Sequence, residues 1–167
     1  MRVRRYFEAD LERVTELFTR SVHALGAQQY DEAQREAWAP SDPDLERFRA
    51  RFATMTLLLA EEGDDLLGFV GYEPDGHVDF LYTSPDHARR GVATRLHNEA
   101  AAALRELGVT RLYTEASEVA RPFFERQGYE VVEREVVTRG GIELSRYRMR
   151  CTPLGSISSS ASRGPTP

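Results

Sequence analysis

His77 to Leu96 reads HVDFLYTSPDHARRGVATRL, and a change of periodicity inside this stretch decides the fold. Its first seven residues read as a strand that ends at Ser84-Pro85. From about Arg90 the spacing becomes helical: Val92 and Leu96 are continued by Ala100 and Leu104, and Gly108 closes the helix. Between the two lies Arg89-Arg90-Gly91-Val92-Ala93. The consecutive N–H groups of such a loop, backed by the helix dipole, form a cradle for an anion. Gly91 lets the backbone approach closely, Ala93 keeps a second approach point small, and Arg89 and Arg90 add positive charge. A phosphate or pyrophosphate is the ligand this predicts. Taken alone, the loop also reads as a plain helix start with solvated arginines. It is not a Walker loop, which needs a lysine, nor a dinucleotide fingerprint, which needs more glycines after a parallel strand.

Upstream, TLLLAEE and LLGFVGYE are apolar runs joined at Gly63-Asp64-Asp65, and Pro74-Asp75-Gly76 turns the chain into HVDFLYT. Three strands joined by tight turns predict an antiparallel meander. Before it come a short edge strand at Arg2 to Tyr6 and a helix carrying Leu11, Val14, Leu17, Phe18, Val22 and Leu25, with Glu8 and Asp10 supplying negative charge at its start. A second helix, DEAQREAWA, is capped by Asp31 and stopped by Pro40, and a third, DPDLERFRARFA, carries Leu45, Phe48 and Phe52. Downstream follow the strand VTRLYTEA, the helix SEVARPFFERQ, and a hairpin of YEVVEREVV and IELSRYRMR around Arg139-Gly140-Gly141. The order β-α-α-α-β-β-β-α-β-α-β-β predicts an α/β (α+β) fold with a mixed, mostly antiparallel central sheet of about seven strands flanked by helices. After residue 150, CTPLGSISSSASRGPTP offers little to bury. A folded domain at 1–150 and a disordered tail at 151–167 are expected.

Composition excludes several function classes. The net charge of −5 argues against a general nucleic-acid binder. No apolar run approaches a membrane span, and the N-terminus lacks the apolar core of a signal peptide. The single cysteine, Cys151, cannot bridge internally, and no Cys/His cluster has zinc spacing, so a cytoplasmic, reducing compartment and no metal are expected. All 22 basic residues are arginine, which excludes a catalytic lysine.

The ordered combination of a strand, P-x-x-x-R-R-G-V-A-x-x-L, a long helix, a strand, a short helix with FFERQGY and a final hairpin resembles the GNAT superfamily of N-acetyltransferases, over Arg2 to Arg150. The family's loop pattern R/Q-x-x-G-x-G/A falls on Ala88-Arg89-Arg90-Gly91-Val92-Ala93. RPFFERQGYEVV and SVHALGAQQYDEAQREAWAP further resemble a bacterial small-molecule branch. The resemblance implies the acyl-CoA N-acyltransferase fold, acetyl-CoA as co-substrate and an amine acceptor on a small molecule or peptide. It implies that the strand before the loop splays from its neighbour and pairs through Leu81, Tyr82 and Thr83 with the pantetheine arm. It places the pyrophosphate on the loop from Ala88 to Thr94, and it puts Ser117 where the family often has a cofactor-contacting asparagine. Phe124 stands where a tyrosine often protonates the leaving thiolate, so that acid is missing here and Tyr82, Tyr113 or a water is left to supply it. Ala88 replaces the usual Arg or Gln, removing a side-chain contact while leaving the backbone cradle.

Acetyl transfer to an amine needs a base. A strict period of two along HVDFLYT puts His77, Asp79 and Leu81 on one face and Val78, Phe80 and Tyr82 on the other. His77 is the base candidate, with Asp79 to orient it or to hold the amine, and Glu115 as a third candidate. The bland alternatives are that His77 caps the Asp75-Gly76 turn and that Glu115 caps the helix near Ser117. In the resembling fold the first helices and the final hairpin build the acceptor pocket, which makes His23, Tyr30 and Trp38 substrate candidates, with Trp38 equally readable as a core anchor. His97 is expected to face solvent. Sheet edges near both termini leave a homodimer open. A non-catalytic acyl-CoA-binding or interaction module of the same fold is the competing function.

Overall fold

The computed structural model describes residues 1–152, so the tail expected at 151–167 lies outside the described residues except for its first two positions. The meander consists of β2 (Thr56–Glu62), β3 (Asp65–Tyr72) and β4 (Val78–Thr83), with β1 (Arg2–Arg5) beside β2, all antiparallel in the order β1-β2-β3-β4. A second antiparallel sheet, in the order β5-β7-β6, holds β5 (Leu112–Ala116), β6 (Glu130–Arg139) and β7 (Ile142–Cys151). Cys151 is thus paired with Leu112, and the folded unit runs one residue past the boundary at 150 drawn from the sequence. The seven strands divide between β4 and β5, which meet in an isolated parallel bridge of His77 with Tyr113.

Helices cover both faces. On one, α1 (Leu11–Leu25), α2 (Glu32–Trp38) and α3 (Leu45–Phe52) bury Val14, Phe18 and Phe52 against Leu57, Leu59 and Phe69. Asp31 caps α2 in a reciprocal box with Gln34, and Asp44 caps α3. On the other face, α4 (Val92–Glu106) and α5 (Arg121–Arg126) enclose Leu67, Val70, Val78, Leu112 and Met149, with Val92, Leu96, Ala100 and Leu104 of α4 turned inward as their spacing predicts. Gly68 permits this approach: a Cβ there would lie 2.8 Å from the Tyr82 carbonyl oxygen and 3.0 Å from Val92 Cγ1. No helix among the described residues is long and apolar enough to cross a membrane.

Three expectations change. First, Asp10 does more than complement a helix dipole. It is buried and receives both terminal nitrogens of Arg4 at 2.9 Å, while Arg4 also reaches Glu61 at 2.7 Å, tying the chain start to β2. Second, β4 does not alternate throughout. Gly71 pairs with Phe80 and Tyr72 with Val78, so Asp79 is an extra residue in a β-bulge. The bulge reverses the parity: Val78 and Leu81 pack under α4, Phe80 and Tyr82 pack under α1, and Leu81 leaves the face expected to hold His77 and Asp79. Third, His97 is buried, because the α5–β6 turn folds over α4 and sets Tyr129 Oη 2.9 Å from His97 Nε2.

Candidate active site

The loop into α4 is shaped by two left-handed residues. Arg89 has φ 62° and Gly91 has φ 75°, while Ala88 between the turn and Arg89 is extended. For arginine this conformation costs about 1–2 kcal/mol, strain of the kind that collects at ligand sites. Helix α4 starts at Val92 without a side-chain cap, so its first N–H groups are left to a ligand or solvent. A Cβ on Gly91 would meet nothing within 4 Å, so the cradle is open on that side. The two arginines differ: Arg90 is paired with Glu62 at 2.7 Å, whereas Arg89 has no carboxylate partner among the described residues. Val92 is buried in the core, Ala93 lines the adjoining cleft and Thr94 is exposed on the first helical turn.

From this loop a cleft of about 160 Å³ runs into the gap between β4 and β5. Leu81, Tyr82 and Thr83 form one wall and Ser117, Ala120 and Phe124 the opposite one, with Tyr30 and Trp38 at its far end. The bulge at Asp79 and the separation from β5 leave this part of β4 without a partner strand on that side. Ser117 Oγ accepts a hydrogen bond from Ala120 N at 3.1 Å. Trp38 Nε1 donates to Tyr82 Oη at 3.3 Å, and burial pushes the Tyr82 phenol up to about 12, so Tyr82 keeps its proton. Tyr30 Oη accepts from Glu118 N at 2.8 Å and donates to the Ser145 carbonyl at 3.1 Å. His23 lies outside the cleft lining, with Nε2 2.7 Å from the Ala39 carbonyl oxygen, and joins α1 to the end of α2.

At the closed end of the gap stands a cluster of charge. His77 Nδ1 is 2.8 Å from Glu73 Oε1 and its Nε2 is 2.6 Å from Glu115 Oε2. Its ring stacks on Tyr113 at 4.7 Å, and Nε2 lies 3.9 Å from Asp79 Oδ1. Burial opposes the charged imidazole, but hydrogen bonds to Glu115 and Glu73 outweigh it and raise the His77 pKa to about 9. Burial likewise disfavours the Glu115 carboxylate, yet the His77 partner leaves its pKa below the ordinary value. Asp79 is ion-paired to Arg51 of α3. Ligand atoms of His77, Asp79 and Glu115 all lie within 4.8 Å of one another, and with Glu73 the cluster sets three carboxylates against two cations, His77 and Arg51. Tyr113 Oη donates to Asp75, away from the cleft, so of the two phenols considered as a proton source only Tyr82 lines it.

The structure therefore brings His77, Asp79 and Glu115 together, beside but not within the lining of the cleft that gathers Leu81, Tyr82, Thr83, Ala93, Ser117, Phe124, Tyr30 and Trp38. Glu73, Arg51 and Arg139 escaped the sequence reading. Glu73 and His77 flank the Pro74-Asp75-Gly76 turn, a spacing that signals proximity across it, whereas Arg51 and Arg139 carry no local signal.

A strand splayed from its neighbour, an uncapped helix behind a left-handed loop and a cleft running between them define a GNAT acetyltransferase. The family model described as an acetyltransferase (GNAT) domain matches residues 26–151, and the chain belongs to this family of acetyl-CoA-dependent N-acetyltransferases. Among relatives, it is 29% identical over 153 residues to the uncharacterized N-acetyltransferase YafP of Escherichia coli K12, covering 92% of this chain and 97% of the relative. A GCN5-related N-acetyltransferase from Rhodopseudomonas palustris, described as an aminotransferase, class-II, is 32% identical with a TM-score of 0.86 over 90% of this chain and 94% of that one. The PaiA N-acetyltransferase of Thermoplasma acidophilum, solved with coenzyme A, shares the fold at 20% identity and a TM-score of 0.72, covering 90% of this chain and 98% of that one.

Proposed function

We propose that this chain transfers acetyl directly from acetyl-CoA to a primary amine of a small molecule or peptide, both substrates being bound at once. The observation that carries the reading is the coincidence, on one pair of strands, of the anion cradle at the open end and the His77–Glu115 pair at the closed end. The uncapped N–H groups of α4, with Arg89, hold the pyrophosphate of the co-substrate. The unpartnered main chain of Leu81 to Thr83 receives the pantetheine arm, and Ser117 and Phe124 close the other wall.

The amine nitrogen attacks the thioester carbonyl carbon, the carbon–sulfur bond breaks, and the proton from nitrogen leaves through water to the His77–Glu115 pair. In its neutral form His77 is a strong base, because two carboxylates stabilise its conjugate acid. Asp79 and Glu115 supply negative charge that attracts the acceptor's ammonium before it is deprotonated. Tyr82 protonates the thiolate in place of the tyrosine that Phe124 replaces, and the thiol's own pKa of roughly 8.5 keeps that demand small. A cytoplasmic setting suits the buried free thiol of Cys151. The exposed Val132 and Val136 on the β6 edge support a homodimer.

Phe124 favours one competing reading, a module that binds acyl-CoA without turning it over. The protein is incubated with acetyl-CoA and a panel of primary amines while free CoA is followed with a thiol reagent. Amine-dependent CoA release is expected. Tight CoA binding without release for any amine overturns the enzyme reading in favour of the module.

A further inference from the structure

The far end of the cleft carries arginine that the fold does not neutralise. On the final hairpin, β7 presents Arg146, Arg148 and Arg150, and each meets a glutamate of β6: Glu135 at 2.5 Å, Glu133 at 2.8 Å and Glu130 at 3.5 Å. Arg139, the last residue of β6, breaks this pattern, since its cross-strand neighbour is Ile142 and it has no carboxylate partner among the described residues. Its guanidinium instead lies over the ring of Trp38, 5.4 Å from the centroid, and Trp38 lines the cleft. Arg35, also in the lining, donates only to the main-chain carbonyls of His23 at 2.8 Å and Asp31 at 3.3 Å.

Resting on the acetyltransferase reading above, we propose that Arg139, seated on Trp38 at the rim of the cleft, binds an anionic group of the acceptor, so that the substrate is an amine that also carries a carboxylate or a phosphate. A planar guanidinium fixed against an aromatic face keeps its N–H edge free for a bidentate anion. The electrostatics agree: Arg139 is exposed at the rim, yet partial loss of solvent and the charge of Arg146, with Arg47 and Arg51 adding and Tyr82 opposing, hold its pKa below the ordinary value, so an added anion relieves like-charge repulsion there. Of those neighbours, Arg146 is offset by Glu135 and Arg51 by Asp79, while Arg47 has no side-chain partner among the described residues. The carboxylates of Glu73, Asp79 and Glu115 gather around His77 where β4 and β5 meet, while that of Glu118 accepts from the hydroxyls of Ser145 and Tyr147 on β7. The site is thereby bipolar, with negative charge where the ammonium must enter and positive charge at the opposite rim.

Trp38 is the sole tryptophan of the chain, so its fluorescence reports directly on this position. CoA-saturated protein is titrated with phenylalanine and phenylalaninamide, and with O-phosphoethanolamine and ethanolamine, each pair differing in the anionic group; the anionic pair member that binds tighter identifies carboxylate or phosphate. The expected result is at least about tenfold tighter binding of an anionic amine than of its neutral partner, a preference lost in Arg139→Gln and partly kept in Arg139→Lys, with CoA affinity retained as the control for folding. Equal affinity within both pairs, no response to either anionic amine, or an unchanged preference in Arg139→Gln overturns the assignment. CoA release measured alongside separates the two readings. Release that is indifferent to the anionic group and to Arg139 overturns this inference alone. Arg139-dependent binding without release of CoA supports the anion site and overturns the transferase reading.

Discussion

His77 and Tyr113 sit side by side at the point where β4 and β5 meet, their rings stacked at 4.7 Å and 6° and their backbones bridged in parallel. Beyond this pair the strands part, and the cleft occupies the gap. Tyr113 N donates to the Gly76 carbonyl at 3.1 Å, so the residue before His77 fixes the vertex.

Gly76 is consequently the least replaceable residue of the vertex. Its φ is +103°, and a Cβ there would come 2.3 Å from the Arg111 carbonyl oxygen, which is main chain and cannot swing aside. Gly76→Ala is expected to cost about 2–3 kcal/mol in chemical denaturation and to lower kcat more than it raises KM for acetyl-CoA. Unaltered stability would show that the turn accommodates a side chain.

His77 should make both stability and rate depend on alkaline pH. Its folded pKa of about 9 lies above the ordinary 6.5, so its stabilising contribution is fully present below 6.5 and is lost as pH rises through 9. The melting-temperature difference between wild type and His77→Gln should shrink over that interval. If neutral His77 is the base, kcat/KM climbs with an apparent pKa near 9 in wild type, and this limb disappears in the variant. A parallel pH profile in the two proteins would remove His77 from the proton path.

Gly91→Glu places a carboxylate inside the cradle and a side chain at φ 75°. CoA affinity, measured by calorimetry, should fall by about a hundredfold, with a stability cost of about 1–2 kcal/mol for the left-handed backbone. Arg89→Gly is the complementary case. It relieves the strain at φ 62°, so CoA binding weakens while stability is held or gained.

Tyr82→Phe tests the proton source for the thiolate. The expected loss in kcat is about tenfold to a hundredfold near pH 7 and shrinks above the thiol pKa of roughly 8.5, where the leaving group needs no proton. A loss that stays constant with pH would assign Tyr82 to positioning through Trp38.

Glu61 governs acid stability far from the site. Hydrogen bonding to Arg4 lowers its pKa from 4.5 to about 2 against the cost of burial. Its contribution is present above 4.5 and is lost as pH falls toward 2. Glu61→Gln should cost about 3 kcal/mol at neutral pH, because Arg4 keeps Asp10 alone, and the difference from wild type should narrow in acid unfolding curves.

Much of this protein was legible in one dimension because its signals are local. Apolar spacing, caps and turn residues marked the five α-helices and seven strands of the described residues, and Asp31 announced its cap. His77 and Asp79 on one strand and Glu115 at the end of another were named as titratable candidates, and packing does gather them. The two arginines of the loop looked alike in sequence, yet Arg90 is taken by Glu62, a residue of the preceding hairpin. His97 looked exposed because nothing nearby in sequence covers it; Tyr129 does.

Chain order, the helix periods and the place of the glycine loop before α4 were determined by the sequence alone, since each depends on residues a few positions apart. The tertiary structure decided what depends on distant partners. The bulge at Asp79 inverts the faces of β4, and two carboxylates make His77 a cation at neutral pH. A hairpin register leaves Arg139 without a glutamate, over Trp38. Long-range pairing and desolvation set charge and direction at a site, and neither is written in the spacing of neighbours.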